Sequence, residues 1–303
     1  MNIITGVVPV VPTIFTDDEE LDLHGQRRVI DFLVDAKADG ACVLANYSEQ
    51  FSLTDEERDH VLRTTLEHAA GRIPVCVTTS HYSARIARQR SLQAQREGAA
   101  MVMLMAPFFG ATVKADEDAV VEYFKRVTDG LEIDVMIQDA PMSPTPLPVA
   151  LLARLAAEIP QVRYVKIEMP QTADKLRALA AAAGGALPGL FDGEEAITLI
   201  PDLEAGAQGT MSSCLVPDQL GLIVHDYHAG RRESAVARWE DLLPLIHFEN
   251  RQCGLRATKA LLKEGRIINS GKTRAPLGDL HPDTRAQLLE LAKRKDPLIL
   301  HWA

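Results

Sequence analysis

The chain has 303 residues, a length that one α/β barrel with a helical tail can account for. Hydrophobic residues make up 47% of it and aromatic residues only 5%, which favours an aliphatic α/β core over an aromatic-rich sandwich. The formal net charge of −10 and the lack of a basic stripe interleaved with aromatic residues exclude nucleic acid as an expected partner. An anionic substrate would have to be held by local donors.

Eight short apolar runs alternate with longer amphipathic stretches along the chain. They predict eight parallel strands that are buried on both faces of the sheet. In chain order the predicted strands are 6–15, 41–46, 74–80, 101–107, 134–141, 162–168, 187–193 and 207–213. The first run contains two prolines and is too short to cross a bilayer, so no membrane association is predicted.

Helices are predicted between these strands and after the last one. Thr54 and Glu57, three residues apart before an apolar periodic run, predict a capping box at a helix start. Residues 215–303 predict further helices, with 269–282 as a surface connection. We therefore predict a (β/α)8 TIM barrel over residues 1–230 and a C-terminal helical extension packed on it over 231–303.

Neither the cysteines nor the histidines indicate a metal site. Four cysteines lack the paired spacing of a zinc or redox motif, and free thiols in a reducing cytoplasm are predicted for Cys42, Cys76, Cys214 and Cys253. His225 and His228 lie three residues apart on a predicted helix without a third ligand nearby, which favours surface placement over metal binding. No Gly-rich phosphate loop is present, and no cofactor is expected.

Lys166 is unusual among the ten lysines, because the other nine fall in predicted helices or loops where solvation is easy. It lies inside the sixth predicted strand. Side chains alternate across a strand, so Lys166 and Glu168 share one face with Tyr164, while Val165 and Ile167 share the other. The aliphatic face suits the helix layer, which directs Lys166 and Glu168 into the barrel near its C-terminal mouth, where barrel enzymes place their chemistry.

A buried ammonium is unfavourable unless it is paired, and desolvation lowers the pKa of a lysine toward neutrality. The resulting free amine attacks ketones, so Lys166 is a candidate Schiff-base residue. A structural ion pair between Lys166 and Glu168 accounts for the same residues equally well.

The order of eight strands, with one lysine at the end of the sixth in VRYVKIEMP, resembles the pyruvate-dependent aldolase superfamily that includes dihydrodipicolinate synthase and N-acetylneuraminate lyase. The likeness covers nearly the whole chain. It implies that Lys166 forms the Schiff base, that the substrate is a small 2-keto acid and that the protein is a homotetramer.

The segment ANYSE (45–49) takes the place of the family's Gly-Thr-Thr-Gly-Glu, which holds the substrate carboxylate. The resemblance therefore implies substrate binding by Asn46, Tyr47 and Ser48. The donor is open between the Ser48 hydroxyl, Asn46 and backbone N–H groups, and Tyr47 is equally explained as a packing aromatic.

Gln138, in QDAP, stands where the aldolases carry a tyrosine that relays protons. An amide donates and accepts hydrogen bonds but does not titrate near neutral pH, so the usual aldol relay is missing. Phe108 and Phe109 likewise occupy positions that are tyrosines in the synthases, which argues against dihydrodipicolinate synthesis.

These departures resemble one branch of the superfamily, the L-2-keto-3-deoxyarabonate dehydratases, at LANYSEQF, VTTSHYS, IQDAP, KIE, DGEEAITL and LHPDTRAQLLELAKR. The resemblance implies dehydration of a five-carbon 2-keto-3-deoxy acid to 2-oxoglutarate semialdehyde, a step of non-phosphorylative pentose (L-arabinose) breakdown.

Within that reaction Glu168 is the best acid/base candidate, with the ion pair as the equal alternative. His81, with Tyr82 nearby, is a candidate to bind or protonate the departing hydroxyl, although a lone loop histidine is more often without function. The resemblance also implies main-chain contacts to the keto acid at Gly193 and Met211, for which packing in the barrel is the equal alternative.

Two other functions fit the residues. An aldolase would cleave the same kind of acid to pyruvate and an aldehyde with the same lysine, and Gln138 counts against it. A non-catalytic sensor of sugar acids could retain the barrel, and intact Lys166 and Glu168 count against it.

Overall fold

The computed structural model describes residues 3–110 and 113–302. By its internal contacts the chain divides into two compact units, each formed by discontinuous segments. Among the described residues, the first unit consists of 3–5, 75–110, 113–194 and 198–211, and the second of 6–74, 195–197 and 212–302. The predicted boundary between residues 230 and 231 is not tested by this division and stays a prediction.

Parallel strands form the centre of the first unit. They are β3 (Val75–Thr78), β4 (Met101–Met105), β7 (Asp134–Asp139), β8 (Val162–Ile167), β9 (Gly189–Asp192) and β10 (Gly209–Thr210). Their order in the sheet is β10-β9-β8-β7-β4-β3, with every pair parallel. Almost every residue of β4 and β7 is buried, as expected for strands covered on both faces.

Helices alternate with these strands along the chain, as the periodicity predicts. The first unit contains α3 (Ala84–Arg96), α4 (Glu117–Thr128), α5 (Val149–Glu158), α6 (Thr172–Ala183) and α7 (Leu199–Glu204). One feature was not predicted: β5 (Phe108–Phe109) and β6 (Val113–Lys114) form a short antiparallel pair after β4. Phe109 there is exposed, and its ring lies 6.0 Å from that of Tyr82.

The second unit contains β1 (Gly6–Val7) and β2 (Ala41–Val43). The first predicted strand, 6–15, forms regular strand over only two residues, because Pro9 and Pro12 carry no N–H for a ladder. Pairing continues beyond it, since the Val10 N–H donates to Ser212 O at 2.7 Å and the Cys42 N–H to Pro9 O at 2.8 Å. All eight predicted strands are therefore present, with shorter regular portions than their apolar runs.

Among its described residues the second unit also contains six α-helices: α1 (Leu23–Asp35), α2 (Asp55–Ala69), α8 (Pro217–His228), α9 (Arg232–Phe248), α10 (Arg256–Glu264) and α11 (Pro282–Lys293). The capping box of Thr54 and Glu57 at the start of α2 is confirmed, with both reciprocal hydrogen bonds made. His225 and His228 on α8 are exposed, as predicted. None of the helices within the described ranges has the length and apolar character needed to span a membrane.

The interpretation of 269–282 as a surface connection is wrong for its first half. Ser270 and Thr273 are buried, and Arg274 is half-buried. The Ser270 hydroxyl donates to Asp17 at 2.5 Å, and Arg274 forms an ion pair with Glu57 and donates to main-chain oxygens. Proline and glycine predict turns, but a turn whose side chains find buried partners becomes part of the packed structure.

Candidate active site

Strand β8 places Lys166 and Glu168 on the same side, as the alternation of the strand predicts. Only 3% of Lys166 is exposed, and its Nζ lies 2.9 Å from Glu168 Oε1. Glu168 follows the last strand residue, and its N–H donates to Asp139 O at 2.9 Å, which fixes its backbone at the end of the sheet. A buried amine and a less buried carboxylate are thus in direct contact.

Gln138 lies beside Lys166 on the neighbouring strand, because the two residues are register partners in the β7–β8 pair. Its Nε2 donates to Glu168 Oε1 at 2.7 Å, so one carboxylate oxygen receives both the amide and the amine. Its Oε1 is buried and, among the described residues, accepts no hydrogen bond. An unsatisfied buried acceptor is unfavourable, so this oxygen is suited to a donor on a bound molecule.

Gly193, after β9, gives the cluster its space. A Cβ at this position would lie 2.5 Å from Glu168 Cγ and 2.8 Å from Lys166 Cε. The requirement here is close approach rather than an unusual backbone angle, so any side chain would displace the two charged residues. Lys166, Glu168, Gln138 and Gly193 form one cluster in the first unit.

The backbone N–H groups of the two residues predicted for main-chain contacts are already used. Gly193 N–H donates to Ile167 O and Met211 N–H donates to Asp192 O, each at 2.9 Å. The Met211 side chain is fully buried. Contacts from these positions to a substrate would have to use the carbonyl oxygens.

An ion pair that the sequence interpretation missed lies next to the cluster. Lys175 Nζ contacts Asp139 Oδ2 at 2.5 Å. Burial raises the pKa of Asp139, the Lys175 ammonium opposes that effect, and the charge of Glu168 adds to it. The position of Asp139 at the end of β7, beside Gln138, was the available signal, since strand ends carry barrel chemistry.

His81 follows β3 and is held in place from two sides. Its Nδ1 accepts a hydrogen bond from Ser83 N–H at 2.9 Å, and its carbonyl accepts one from the Tyr123 hydroxyl at 2.8 Å. Because Nδ1 is the acceptor, the neutral ring carries its proton on Nε2. Burial raises the pKa of Tyr123, so its hydroxyl remains a donor.

In the second unit, Asn46–Ser48 form a single 3-10 turn. The Ser48 hydroxyl is buried and donates to Val11 O at 2.6 Å, while the Ser48 carbonyl accepts from the Thr13 hydroxyl at 2.6 Å. Asn46 Oδ1 accepts from Gln50 Nε2 at 2.7 Å. Since the Ser48 proton is committed to the main chain, Asn46 and the backbone are the better-placed donors for a carboxylate.

The residue after this turn, Glu49, has a left-handed backbone (φ 56°) and a buried side chain. Its carboxylate forms an ion pair with Lys259 and accepts the N–H of Arg274 at 3.0 Å. The Lys259 Nζ and the Arg274 guanidinium each lie 4.4 Å from the centre of the Phe15 ring. We call Glu49, Lys259, Arg274 and Phe15 the Glu49 cluster.

Lys259 corrects the expectation that every lysine other than Lys166 is easily solvated. Its side chain is fully buried, and burial lowers its pKa to about 8 although the Glu49 carboxylate opposes the shift. The signal in the sequence was the position of Lys259 on α10 three residues before Leu262, within the buried stretch of the helix.

The family model described as the dihydrodipicolinate synthetase family matches residues 3–295. The chain belongs to this family. It is 53% identical over 298 residues to the L-2-keto-3-deoxyarabonate dehydratase of Azospirillum brasilense, which covers 98% of this chain and 96% of the relative. It is 29% identical to 4-hydroxy-tetrahydrodipicolinate synthase 2 of Streptomyces coelicolor, over 93% and 92% of the two chains.

Among solved structures, the dihydrodipicolinate synthase of Thermotoga maritima matches with a TM-score of 0.90, 22% identity and coverage of 97% of this chain and 99% of that one. The predicted fold class, a (β/α)8 TIM barrel with a C-terminal helical extension, is confirmed. Membership of this family also confirms that the chain is an enzyme and argues against the sugar-acid sensor.

Proposed function

We propose that this protein is a hydro-lyase that dehydrates L-2-keto-3-deoxyarabonate to 2-oxoglutarate semialdehyde through a Schiff base on Lys166, within L-arabinose breakdown. The observation that carries the proposal is the contact cluster of Lys166, Glu168 and Gln138: one buried amine, one carboxylate and one amide that cannot titrate. Similarity over 98% of the chain to a relative named for this dehydratase supports the choice of substrate.

The first step needs an uncharged amine. Lys166 Nζ lies 2.9 Å from Glu168 Oε1, so one proton passes between them along a hydrogen bond. The free amine adds to the carbon-2 ketone, and loss of water from the carbinolamine gives an iminium. The nucleophile and its base are within the reach that such pairs require.

The iminium acidifies carbon 3, and the Glu168 carboxylate removes a proton there to form an enamine. The enamine expels the carbon-4 hydroxyl, which leaves as water after taking a proton. Loss of one proton from carbon 5 and one from its hydroxyl, with return of one proton each to carbons 3 and 4, gives the aldehyde, and water then releases Lys166. The sum is the loss of one water, with no carbon–carbon bond broken.

Gln138 supports this route in two ways. Its Nε2 donates to Glu168 and holds the carboxylate beside Lys166, and its buried Oε1 is available to accept from a substrate hydroxyl. Because an amide does not relay protons, an alkoxide-forming cleavage of the carbon 3–carbon 4 bond lacks its base at this position.

The remaining contacts are proposed from the resemblance. Asn46, Tyr47 and the backbone of their turn bind the substrate carboxylate, with Ser48 shaping that turn. His81 Nε2–H donates to the departing hydroxyl. The carbonyl oxygens of Gly193 and Met211 face the keto acid.

Cleavage to pyruvate and glycolaldehyde by the same lysine is the second candidate, and product analysis separates the two. Incubation with 2-keto-3-deoxy-L-arabonate is expected to yield 2-oxoglutarate semialdehyde without pyruvate; pyruvate plus glycolaldehyde would reject the dehydratase. Borohydride is expected to fix substrate onto Lys166, seen as a covalent mass increase that Lys166→Ala abolishes. Lys114→Ala, at an exposed position, is the matched control.

We also propose that the protein is a homotetramer and that it resides in the reducing cytoplasm. All four cysteines are buried and none is in a disulfide, as a reducing compartment favours. Light scattering at micromolar concentration is expected to give four times the 33.2 kDa chain mass; one or two times that mass would reject the tetramer.

A further inference from the structure

A cavity of about 250 Å³ opens in the second unit between α10, α11 and the segment that joins them. Basic side chains from three parts of this region line it, namely Arg256, Lys263, Lys272 and Arg285. Two carboxylates, Asp17 and Asp279, also line it. The wall is therefore cationic in excess, on a chain whose net charge is −10.

The cations differ in how far they are neutralised. Arg285 forms an ion pair with Glu264 at 2.8 Å, and within the described part of the chain Arg256 donates only to the carbonyl oxygens of Cys253 and Gly278. Throughout the described ranges, the ammonium groups of Lys263 and Lys272 have neither an ion pair nor a hydrogen bond. The Asp17 carboxylate accepts a hydrogen bond from the Ser270 hydroxyl at 2.5 Å.

We propose that this cavity binds a small multivalent anion, either phosphate or a polycarboxylate, through Lys263, Lys272 and Arg256. Two ammonium groups and one guanidinium without a carboxylate partner converge on a space suited to a compact anion rather than a nucleotide. The binding proposal does not depend on the proposed catalytic function, because none of these residues belongs to the site proposed for the keto acid.

The segment that lines the cavity also forms hydrogen bonds with the Glu49 cluster. The Lys272 carbonyl accepts from Lys259 Nζ at 2.8 Å, and the Arg274 N–H donates to Glu49. An anion bound by the Lys272 side chain would restrain 270–274 and, through Glu49, the turn Asn46–Ser48. This coupling deepens the proposed function, since that turn is the one assigned to the substrate carboxylate.

Calorimetric titration with inorganic phosphate and, separately, citrate tests the binding, with chloride adjusted to hold ionic strength constant. At least one of the two is expected to bind saturably at one site per chain. Lys263→Gln/Lys272→Gln is expected to raise the Kd by roughly tenfold or more, because the anion loses hydrogen bonds to two charged groups. Lys37→Gln/Lys114→Gln removes the same charge at two exposed positions and is expected to leave Kd unchanged.

The results of these titrations identify the class of anion that binds and show whether the proposal fails. Binding of phosphate alone or of citrate alone identifies the anion class, and binding of neither overturns the proposal. Equal weakening by both double variants would show a diffuse charge effect and also overturn it.

Hydrogen exchange of the Ser48, Glu49 and Gln50 amides tests the coupling without any turnover. The bound anion is expected to slow their exchange, and Lys263→Gln/Lys272→Gln to remove that protection. Unchanged exchange with a bound anion would reject the coupling alone. An inactive protein that still shows protection would reject only the proposed reaction.

Discussion

The Nζ of Lys166 lies 2.9 Å from Oε1 of Glu168, and the same oxygen accepts the Gln138 amide at 2.7 Å. Two donors therefore share one carboxylate oxygen at the end of β8. Because the carboxylate is the only one of the three partners that can both take a proton from the amine and return one to a substrate carbon, its removal separates binding of the ketone from turnover.

Glu168→Gln is expected to lower kcat by roughly 100- to 10,000-fold, the usual effect of losing a general base. The variant retains the shape of the side chain and leaves Lys166 in place. Borohydride trapping, followed by mass spectrometry, is expected to show slow but complete labelling. A kcat within threefold of the parent enzyme would assign Glu168 to structure only.

Gly193→Ala is expected to lower kcat by at least roughly 100-fold, because displacing a reacting group by about 1 Å has an effect of this size. The new Cβ would lie 2.5 Å from Glu168 Cγ, so the carboxylate must move. Gly221→Ala is the control: a Cβ there meets no described atom within 4 Å. Full activity of Gly193→Ala, with unchanged circular dichroism, would contradict the packed arrangement.

Gln138→Leu is expected to lower kcat/KM by roughly 10- to 100-fold, because Glu168 loses a charged hydrogen bond and the substrate loses an acceptor. The product is expected to remain the semialdehyde, since no titratable group is added. Product ratio and steady-state kinetics are measured together. Unchanged kinetics would remove Gln138 from the site.

The fold and the central lysine could be predicted because both depend on local pattern. Aliphatic runs specify buried parallel strands, and a two-residue period puts Lys166 and Glu168 on one face whatever the rest of the chain does. The lateral partner of Lys166 depends on strand register, which no local pattern gives. Gln138 was found through the family resemblance and not through spacing.

The errors have a common physical origin in distant pairing. Lys259 looks like an ordinary helical lysine until Glu49, 210 residues away in sequence, is placed beside it. The same applies to Ser48, one of the donors left open for the carboxylate, whose hydroxyl donates a hydrogen bond to Val11 O. A buried polar side chain usually has a hydrogen-bond partner that is distant in sequence. Whether it can still bind a substrate therefore cannot be predicted from the residues around it.

Lys259→Met is expected to destabilise the protein by roughly 3–5 kcal/mol, because it leaves the Glu49 carboxylate buried without its counter-ion. The measurement is the free energy of unfolding in urea. Glu49→Gln/Lys259→Met is expected to recover part of the loss, and Lys37→Met, at an exposed lysine, to change stability by less than about 0.5 kcal/mol. A similar loss in the double variant would show that packing, not charge, is responsible.

The pH dependence of stability is expected to carry a contribution from Glu249. This residue begins the turn after α9, is buried, and burial raises its pKa from 4.5 to about 7, although hydrogen bonds from Ser213 and Thr258 oppose the shift. An acid whose pKa is higher in the folded state binds more protons there than when unfolded. Its contribution to stability is therefore fully present below about pH 4.5 and declines as the pH rises to about 7, beyond which it is constant.

Glu249→Gln is expected to remove this decline, because the variant has no carboxyl group at this position to titrate. The neutral amide keeps the size of the side chain and one acceptor oxygen, so the variant should be about as stable as the parent near pH 4.5 and more stable at pH 8. Glu240→Gln, at an exposed position on α9, has the same charge change and should leave the pH profile unaltered. The free energy of unfolding in urea is measured for all three proteins at half-unit pH steps. If it changes with pH in the same way in Glu249→Gln and in the parent, Glu249 is ionised in the folded protein throughout this range.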